Sequence, residues 1–302
     1  MAAVEAVLIA GPTASGKSHL ALDLARRLGG VIINADSMQV YDGLALLTAR
    51  PDAADLAAAP HSLYGHVPPA ALYSVGTWLR EASACLAEAR AAGLLPIVCG
   101  GTGLYLKALL GLLDPMPPVP TSIRERWRSR LEEEGAPALH RLLAERDPAA
   151  AARIGPADGQ RIVRALEVGE ASGQTLSTLQ AGRGEGPLAG ARVAKVVLTP
   201  QRALLRERIA RRFDAMLAEG AVSEVAAFHA IPGATAGSAG KAIGVAELGA
   251  VIDGTLDLAA ARDRAVTRSR QYAKRQETWF RHQFGPEWQR LPVADPQRID
   301  GI

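Results

Sequence analysis

An α/β protein, with a parallel sheet flanked by helices and an all-helical insertion, is what this sequence predicts. Three observations carry the prediction. Short apolar runs alternate with segments of helical spacing. A glycine-rich loop joins the first run to the first helical segment. A proline-rich boundary then opens a long middle stretch of helical composition.

The apolar runs are Ala6 to Ala10, Val31 to Asn34, Leu95 to Cys99 and Val193 to Leu198, each bounded by Gly, Pro or polar turn residues. Segments such as Lys17 to Leu28 and Thr77 to Ala92 supply helices between them. Strands and helices in this alternation make a parallel sheet covered on both faces, whose ligands bind at the carboxyl ends of the strands. Asp114 to Pro120 (DPMPPVP) can neither continue a helix nor sit in a central strand, so it marks a boundary. Helical composition runs from Ile123 to about Gln180, followed by GRGEGPLAG from Gly182 to Gly190. The insertion is expected over 118–191. Residues 1–117 and 192–302 then form the core, ending in a last strand and two or three helices.

Composition narrows the class. The chain has 302 residues, 48% hydrophobic and 22% charged, enough for a sizeable core, and its net charge of +3 is compatible with a polyanionic partner without establishing one. Cys85 and Cys99 are the two cysteines, and no Cys/His grouping has zinc-site spacing, so a reducing cytoplasm is expected. The stretch Met1 to Ala10 contains Glu5, lacks a basic leader and runs into the glycine loop, which argues for a strand rather than a signal peptide. The apolar stretch Leu104 to Leu113 is broken by Lys107, and no membrane span is expected.

The loop Gly11-Pro12-Thr13-Ala14-Ser15-Gly16-Lys17-Ser18 fits Gly-x-x-x-x-Gly-Lys-Ser/Thr between a strand and a helix, which makes the expected core P-loop NTPase-like. Its backbone amides converge on phosphate oxygens at a helix amino terminus, Lys17 neutralises charge, and Ser18 is the candidate Mg²⁺ ligand, directly or through water. The motif is shared with nucleotide binders and does not say which phosphate compound is held.

After the second strand, Asp36 in Asn34-Ala35-Asp36-Ser37-Met38-Gln39-Val40-Tyr41 stands at a carboxyl end, either as a general base or as a turn-capping aspartate. After the third strand, Cys99-Gly100-Gly101-Thr102-Gly103 lacks the Walker-B-type aspartate of a hydrolytic motor. Its glycines suit close approach by a substrate or a tight strand-to-helix connection. Downstream, Arg206, Arg208, Arg211 and Arg212 share one helical stretch that either closes over a diphosphate or forms a solvated face with Glu207. From Asp263 to Arg281 the residues Arg264, Arg268, Arg270, Lys274, Arg275 and Arg281 are interleaved with Tyr272, Trp279 and Phe280. These suit RNA backbone contact, or core packing in the case of Trp279 and Phe280. Gln160-Arg161-Ile162-Val163-Arg164 presents two arginines on one face, and His61 and His66 have no third ligand in view.

Taken together, GPTASGKS, DSMQVY, TARP, CGGTGLYLKAL, DGQRIVRALEV, RERIARRFDAML and YAKRQETWF resemble the bacterial tRNA dimethylallyltransferases, in order and from end to end. The resemblance implies transfer of dimethylallyl from its diphosphate to N6 of adenosine 37 in tRNAs reading codons that begin with U. It implies Asp36 as the base toward adenine N6 and Gln39 as a holder of the flipped base. Lys17, Ser18, Thr102, Arg208 and Arg212 would bind the diphosphate and Mg²⁺. Contacts to the anticodon stem-loop would come from Ser37, Met38, Arg124, Gln160, Arg161, Arg164 and Lys241, and the enzyme would act as a monomer. Two departures from the family pattern stand out: Ile243-Gly244-Val245-Ala246-Glu247 replaces Gly-Tyr followed by a basic residue, and Ser62 replaces a second histidine. A small-molecule P-loop kinase and a non-enzymatic RNA binder are the competing readings. The first does not need the basic insertion, and the second does not need Asp36 and Thr102 beside a phosphate loop.

Overall fold

The computed structural model describes residues 4–180, 184–300 and 302. Residues 1–3 of the opening stretch, and Gly182 and Arg183 of the glycine-rich segment, lie outside the described residues. The chain divides into two compact units, Met1–Leu109 with Gly190–Ile302, and Leu110–Ala189.

The first unit begins with β1 (Ala6–Ala10), α1 (Lys17–Leu28) and β2 (Gly30–Asn34). Short helices α2 (Ala45–Thr48) and α3 (Ala53–Ala58) lead to β3 (His61–Ser62). Next come α4 (Val75–Ala91), β4 (Leu95–Gly100) and α5 (Gly103–Leu109). Ser74 fixes the start of α4 by accepting from the Thr77 amide at 3.1 Å. All pairs are parallel, in the order β3-β2-β4-β1-β5-β6, where β5 is Val193–Leu198 and β6 is Gln289–Leu291.

The inner strands β1, β2, β4 and β5 are predominantly apolar because both faces are covered. Val7, Ile9, Ile97, Val196 and Leu198 pack with Leu20 and Leu24 of α1, while the alternate residues Leu8, Ile33 and Val98 are just as inaccessible. Trp78 of α4 is fully buried, stacks on Tyr105 of α5 with ring centroids 4.2 Å apart, and donates from Nε1 to the Asn34 carbonyl at 2.9 Å. One side chain thus ties α4 and α5 to the carboxyl end of β2.

The second unit holds α6 (Thr121–Glu134), α7 (Ala136–Arg146), α8 (Pro148–Ala151), α9 (Gly159–Ser172) and α10 (Leu176–Leu179). They surround their own core, with Trp127, Leu139, Leu143, Ile162, Leu166 and Val168 at its centre. Its observed limits differ from the expected 118–191. The unit starts at Leu110, and Met116, expected to precede it, packs into this helical core beside Val119. Where the unit begins and ends, the two chain segments run so close that a Cβ on Gly184 would lie 1.8 Å from the Leu113 carbonyl oxygen.

Back in the first unit, β5 is followed by α11 (Arg202–Ala218), α12 (Ala221–His229), α13 (Val245–Ile252) and α14 (Leu258–Gln283). These are more helices than the two or three expected after the last long strand. Leu205, Ile209, Phe213, Val225, Leu248 and Ala265 bind them into a separate cluster. The sheet also has two edge strands that the apolar runs did not announce, because β3 is two residues long and β6 carries Arg290 at its centre.

Replacing Trp78 by Ala is expected to destabilise the first unit by about 3 to 5 kcal/mol, through the cavity left beside Tyr105 and the unpaired Asn34 carbonyl. Urea unfolding of the variant against the parent protein measures it.

Candidate active site

The carboxyl ends of β1, β2 and β4 converge, and each brings one functional segment. From β1 comes the phosphate loop, which reaches the left-handed region at Gly16 (φ 95°) as α1 begins. Lys17 is only 9% exposed. Burial lowers its pKa from the usual 10.5; the Asp36 charge works the other way, and Arg212 adds to the lowering. Ser15 Oγ is buried and has no hydrogen-bond partner among the described residues. An anion or a water in the loop would satisfy it. Ser18 is exposed at the second position of α1.

β2 supplies Asp36. The fully buried Asn34 side chain accepts from the Asp36 amide at 2.8 Å and donates to the Asp36 and Leu63 carbonyls at 3.0 and 2.9 Å. Asp36 Oδ1 accepts from the Met38 amide at 3.0 Å, while Oδ2 makes no hydrogen bond among the described residues. The turn-capping reading of this aspartate is met by one oxygen, and the other makes no bond within the protein among the described residues.

β4 supplies Thr102. Its amide donates to the Ala35 carbonyl at 3.0 Å, its Oγ1 accepts from the Ser37 amide at 2.9 Å and lies 3.2 Å from Ser37 Oγ. The glycines before and after it make room for α14 rather than for a small molecule. A Cβ on Gly101 would sit 2.3 Å from Gln276 Nε2, and one on Gly103 would sit 1.9 Å from the Trp279 ring.

The arginines of α11 divide by helical phase. Arg208 Nη1 donates to the Ser15 carbonyl at 3.5 Å, and Arg212 Nη2 donates to Thr13 Oγ1. Arg211 pairs with Glu207 at 3.5 Å, and Arg206 is exposed. Burial pulls the Arg212 pKa down, opposed by the Asp36 charge.

A cavity of about 430 Å³ opens beside these groups. Thr13, Asp36, Ser37, Met38, Arg212 and Lys241 stand in its wall, as does an apolar set that includes Leu47, Phe213, Met216 and Ile243. From α14 come Arg268, Tyr272 and Arg275. Burial raises the Tyr272 phenol well above its ordinary range. Arg268 also pairs at 2.5 Å with Glu247, a buried carboxylate whose other oxygen accepts from the Gly244 amide at 3.0 Å. The departing segment 243–247 thus meets the cavity through Ile243 and braces Arg268.

Other expected residues lie elsewhere. Gln39 is absent from the cavity wall, and its Nε2 donates to the Thr48 and Ala49 carbonyls at 2.8 Å each. Arg124, Gln160, Arg161 and Arg164 belong to the helical unit, where Arg161 lies 3.5 Å from Asp158 and Arg164 lies 3.7 Å from Glu167. Gln276 escaped sequence reasoning. Its signal was its place among cavity residues spaced by four on one helix, Arg268 and Tyr272, in the midst of exposed basic residues.

Fold and site together define a P-loop protein built for group transfer: an anion loop with a buried lysine, arginines of α11 against it, an aspartate nearby, and a cavity with apolar and basic walls. The comparisons with known proteins agree on the particulars. A family model described as IPP transferase matches residues 39–283, and one described as isopentenyl transferase matches residues 4–61. The tRNA dimethylallyltransferase of Chelativorans sp. (strain BNC1) is 55% identical over 289 residues, covering 95% of this chain and 99% of that one. Among solved structures, the tRNA isopentenylpyrophosphate transferase of Bacillus halodurans aligns with a TM-score of 0.67 at 33% identity, over 94% of this chain and 88% of that one. A eukaryotic dimethylallyltransferase acting on tRNA aligns with a TM-score of 0.75 at 27% identity, over 91% and 69%. The chain belongs to the tRNA dimethylallyltransferase family of IPP transferases.

The state of Lys17 yields a test by pH. Burial favours the neutral amine and a bound anion favours the cation, so binding takes up a proton wherever the free site has begun to lose one. Affinity for inorganic diphosphate should therefore fall as pH rises through a window that begins below the ordinary 10.5. Lys17→Ala should bind more weakly and lose that step, as titration calorimetry across the alkaline range would record.

Proposed function

We propose that this chain transfers the dimethylallyl group of dimethylallyl diphosphate to N6 of adenosine 37 in tRNAs that read codons beginning with U. The observation that carries the reading is that Asp36, Thr13 of the phosphate loop and Arg212 of α11 line one cavity, with the buried Lys17 in the same loop.

The chemistry follows from the charges. The allylic C–O bond breaks as electrons withdraw into the diphosphate. Lys17, Arg208, Arg212 and the loop amides at the start of α1 neutralise those oxygens where the charge develops. The exocyclic N6 of adenine supplies the pair that forms the new N–C bond, and its proton goes to the free Oδ2 of Asp36. Thr102, fixed to the backbone of Ser37, holds the acceptor side of the same turn. The phosphate loop here binds a leaving group, so no nucleoside triphosphate is consumed.

Mg²⁺ fits this site on limited terms. Among the described residues no group of three His, Cys, Asp or Glu could enclose a metal, so the Ser18 hydroxyl is the protein group that would hold Mg²⁺ beside the diphosphate. When bound, Mg²⁺ neutralises leaving-group charge.

For the acceptor, the adenine must leave the anticodon-loop stack, at a few kcal/mol, before it can enter a cavity of this kind. Lys241, Arg268 and Arg275 around the cavity supply phosphate contacts, and Tyr272 supplies a stacking face. The helical unit contributes Arg124, Gln160, Arg161 and Arg164 to the anticodon stem-loop. Among the described residues no helix is long and apolar enough to cross a membrane. The protein works as a cytoplasmic monomer in this reading, in line with its two free cysteines.

Two measurements check the proposal. Asp36→Ala should lower single-turnover transfer by about 10²-fold or more while sparing tRNA affinity; parallel loss of both would make Asp36 an RNA-positioning group. The Arg161→Ala, Arg164→Ala double variant should flatten the slope of log affinity against log salt by about one per arginine, and an unchanged slope would remove both from the interface.

A further inference from the structure

The buried amide of Gln276 joins three parts of the site. Oε1 accepts from the Thr13 amide at 2.9 Å, and Nε2 donates to the Gly101 carbonyl at 3.0 Å. One partner is a donor and the other an acceptor, so only this orientation of the amide satisfies both. The side chain is 5% exposed, and Gly101 is held to a bare hydrogen by its presence. Gln276 also lies one turn beyond Tyr272 on α14, the helix that lines the cavity with Arg268 and Arg275. Thr13 in turn accepts from Arg212 through its hydroxyl.

We infer that Gln276 is a positioning residue that fixes the separation between the phosphate loop and the β4–α5 turn carrying Thr102. It thereby fixes the distance between the leaving diphosphate and the acceptor nitrogen. The inference rests on the transfer reaction proposed above. It differs from simple packing in needing one group that accepts on the loop side and donates on the turn side. Hydrophobic contact could hold α14 against α5, as Trp279 does over Gly103, but could not set the register of Thr13 against Gly101.

Two variants test it beside the parent protein. Gln276→Met fills similar space and offers neither hydrogen bond. Its single-turnover rate, per site that binds inorganic diphosphate, should fall by about 10²-fold, the scale expected of a displacement near 1 Å. Its affinity for inorganic diphosphate should stay within about threefold of the parent, because Lys17 and the other loop amides remain.

Gln276→Glu adds a readout by pH. The neutral acid reproduces the amide, its O–H donating to Gly101 and its C=O accepting from Thr13, whereas the carboxylate cannot donate. Burial raises the pKa of such a group. The ratio of variant to parent rate should therefore climb as pH is lowered through that range. Lys17, Asp36, Arg212 and Arg275 are common to both proteins, and taking the ratio sets aside what they contribute to both rates.

A Gln276→Met rate per binding site equal to the parent's, a parallel loss of diphosphate binding, or a flat Gln276→Glu ratio would overturn the inference. If the parent protein itself transferred no dimethylallyl group, the reaction would be wrong and the inference would fall with it. Should Gln276→Met fail to fold, the Gln276→Glu ratio alone decides.

Discussion

A buried lysine and a half-buried arginine beside an aspartate with one free oxygen are the constraint on which this molecule turns. Lys17 and Arg212 are both depressed by burial, and the Asp36 charge offsets that only in part. Charges so placed are costly unless an opposite charge arrives. The site is thus arranged for an anion, and the amides of a helix amino terminus point to the same class of ligand. Allylic chemistry uses such a site differently from phosphoryl transfer: the anion is what departs, and the carbon it leaves must already face a nucleophile.

The sheet explains how these parts meet. Parallel pairing in the order β2-β4-β1 brings the carboxyl ends of three neighbouring strands to one place, from which the phosphate loop, Asp36 and Thr102 all emerge. Each is then secured by a neighbour in space: Asp36 by Asn34, Thr102 by Ser37 and Ala35, and Thr13 by Gln276. Asn34 itself takes the Trp78 bond on its carbonyl, so α4 supports the Asp36 turn at one remove. The second layer of the site, α11 and α14, supplies arginines on one side and the cavity wall on the other.

Much of this was legible in the sequence where local pattern decides the outcome. The long inner strands read as apolar runs because both faces are covered, and the loop motif stood in the required strand-to-helix context. The edge strands β3 and β6 were not legible, being too short and too polar to carry a pattern. The expected start at 118 falls after Leu110 because prolines mark a break in helix, while membership of a core depends on where residues such as Met116 pack. Near the site, Asp36 and Thr102 were read from strand ends, while spacing left Arg211 and Arg212 open and the family resemblance pointed to Arg208 with Arg212. Gln276 was not legible, since its partners are 263 and 175 residues away in sequence. The glycines of CGGTG were open between substrate approach and tight packing, and Gln276 and Trp279 decide for packing at Gly101 and Gly103.

The central claim is that the phosphate loop holds a leaving diphosphate while the adjoining cavity presents an adenosine. The most direct measurement incubates the protein with dimethylallyl diphosphate labelled in the alkyl group and unmodified tRNA, with Mg²⁺ and without any nucleoside triphosphate. The account predicts label recovered as N6-dimethylallyladenosine after nuclease digestion, with one diphosphate released for each group transferred. Folded, tRNA-binding protein that incorporates no label, yet moves a phosphoryl group from ATP to a small acceptor, would contradict it.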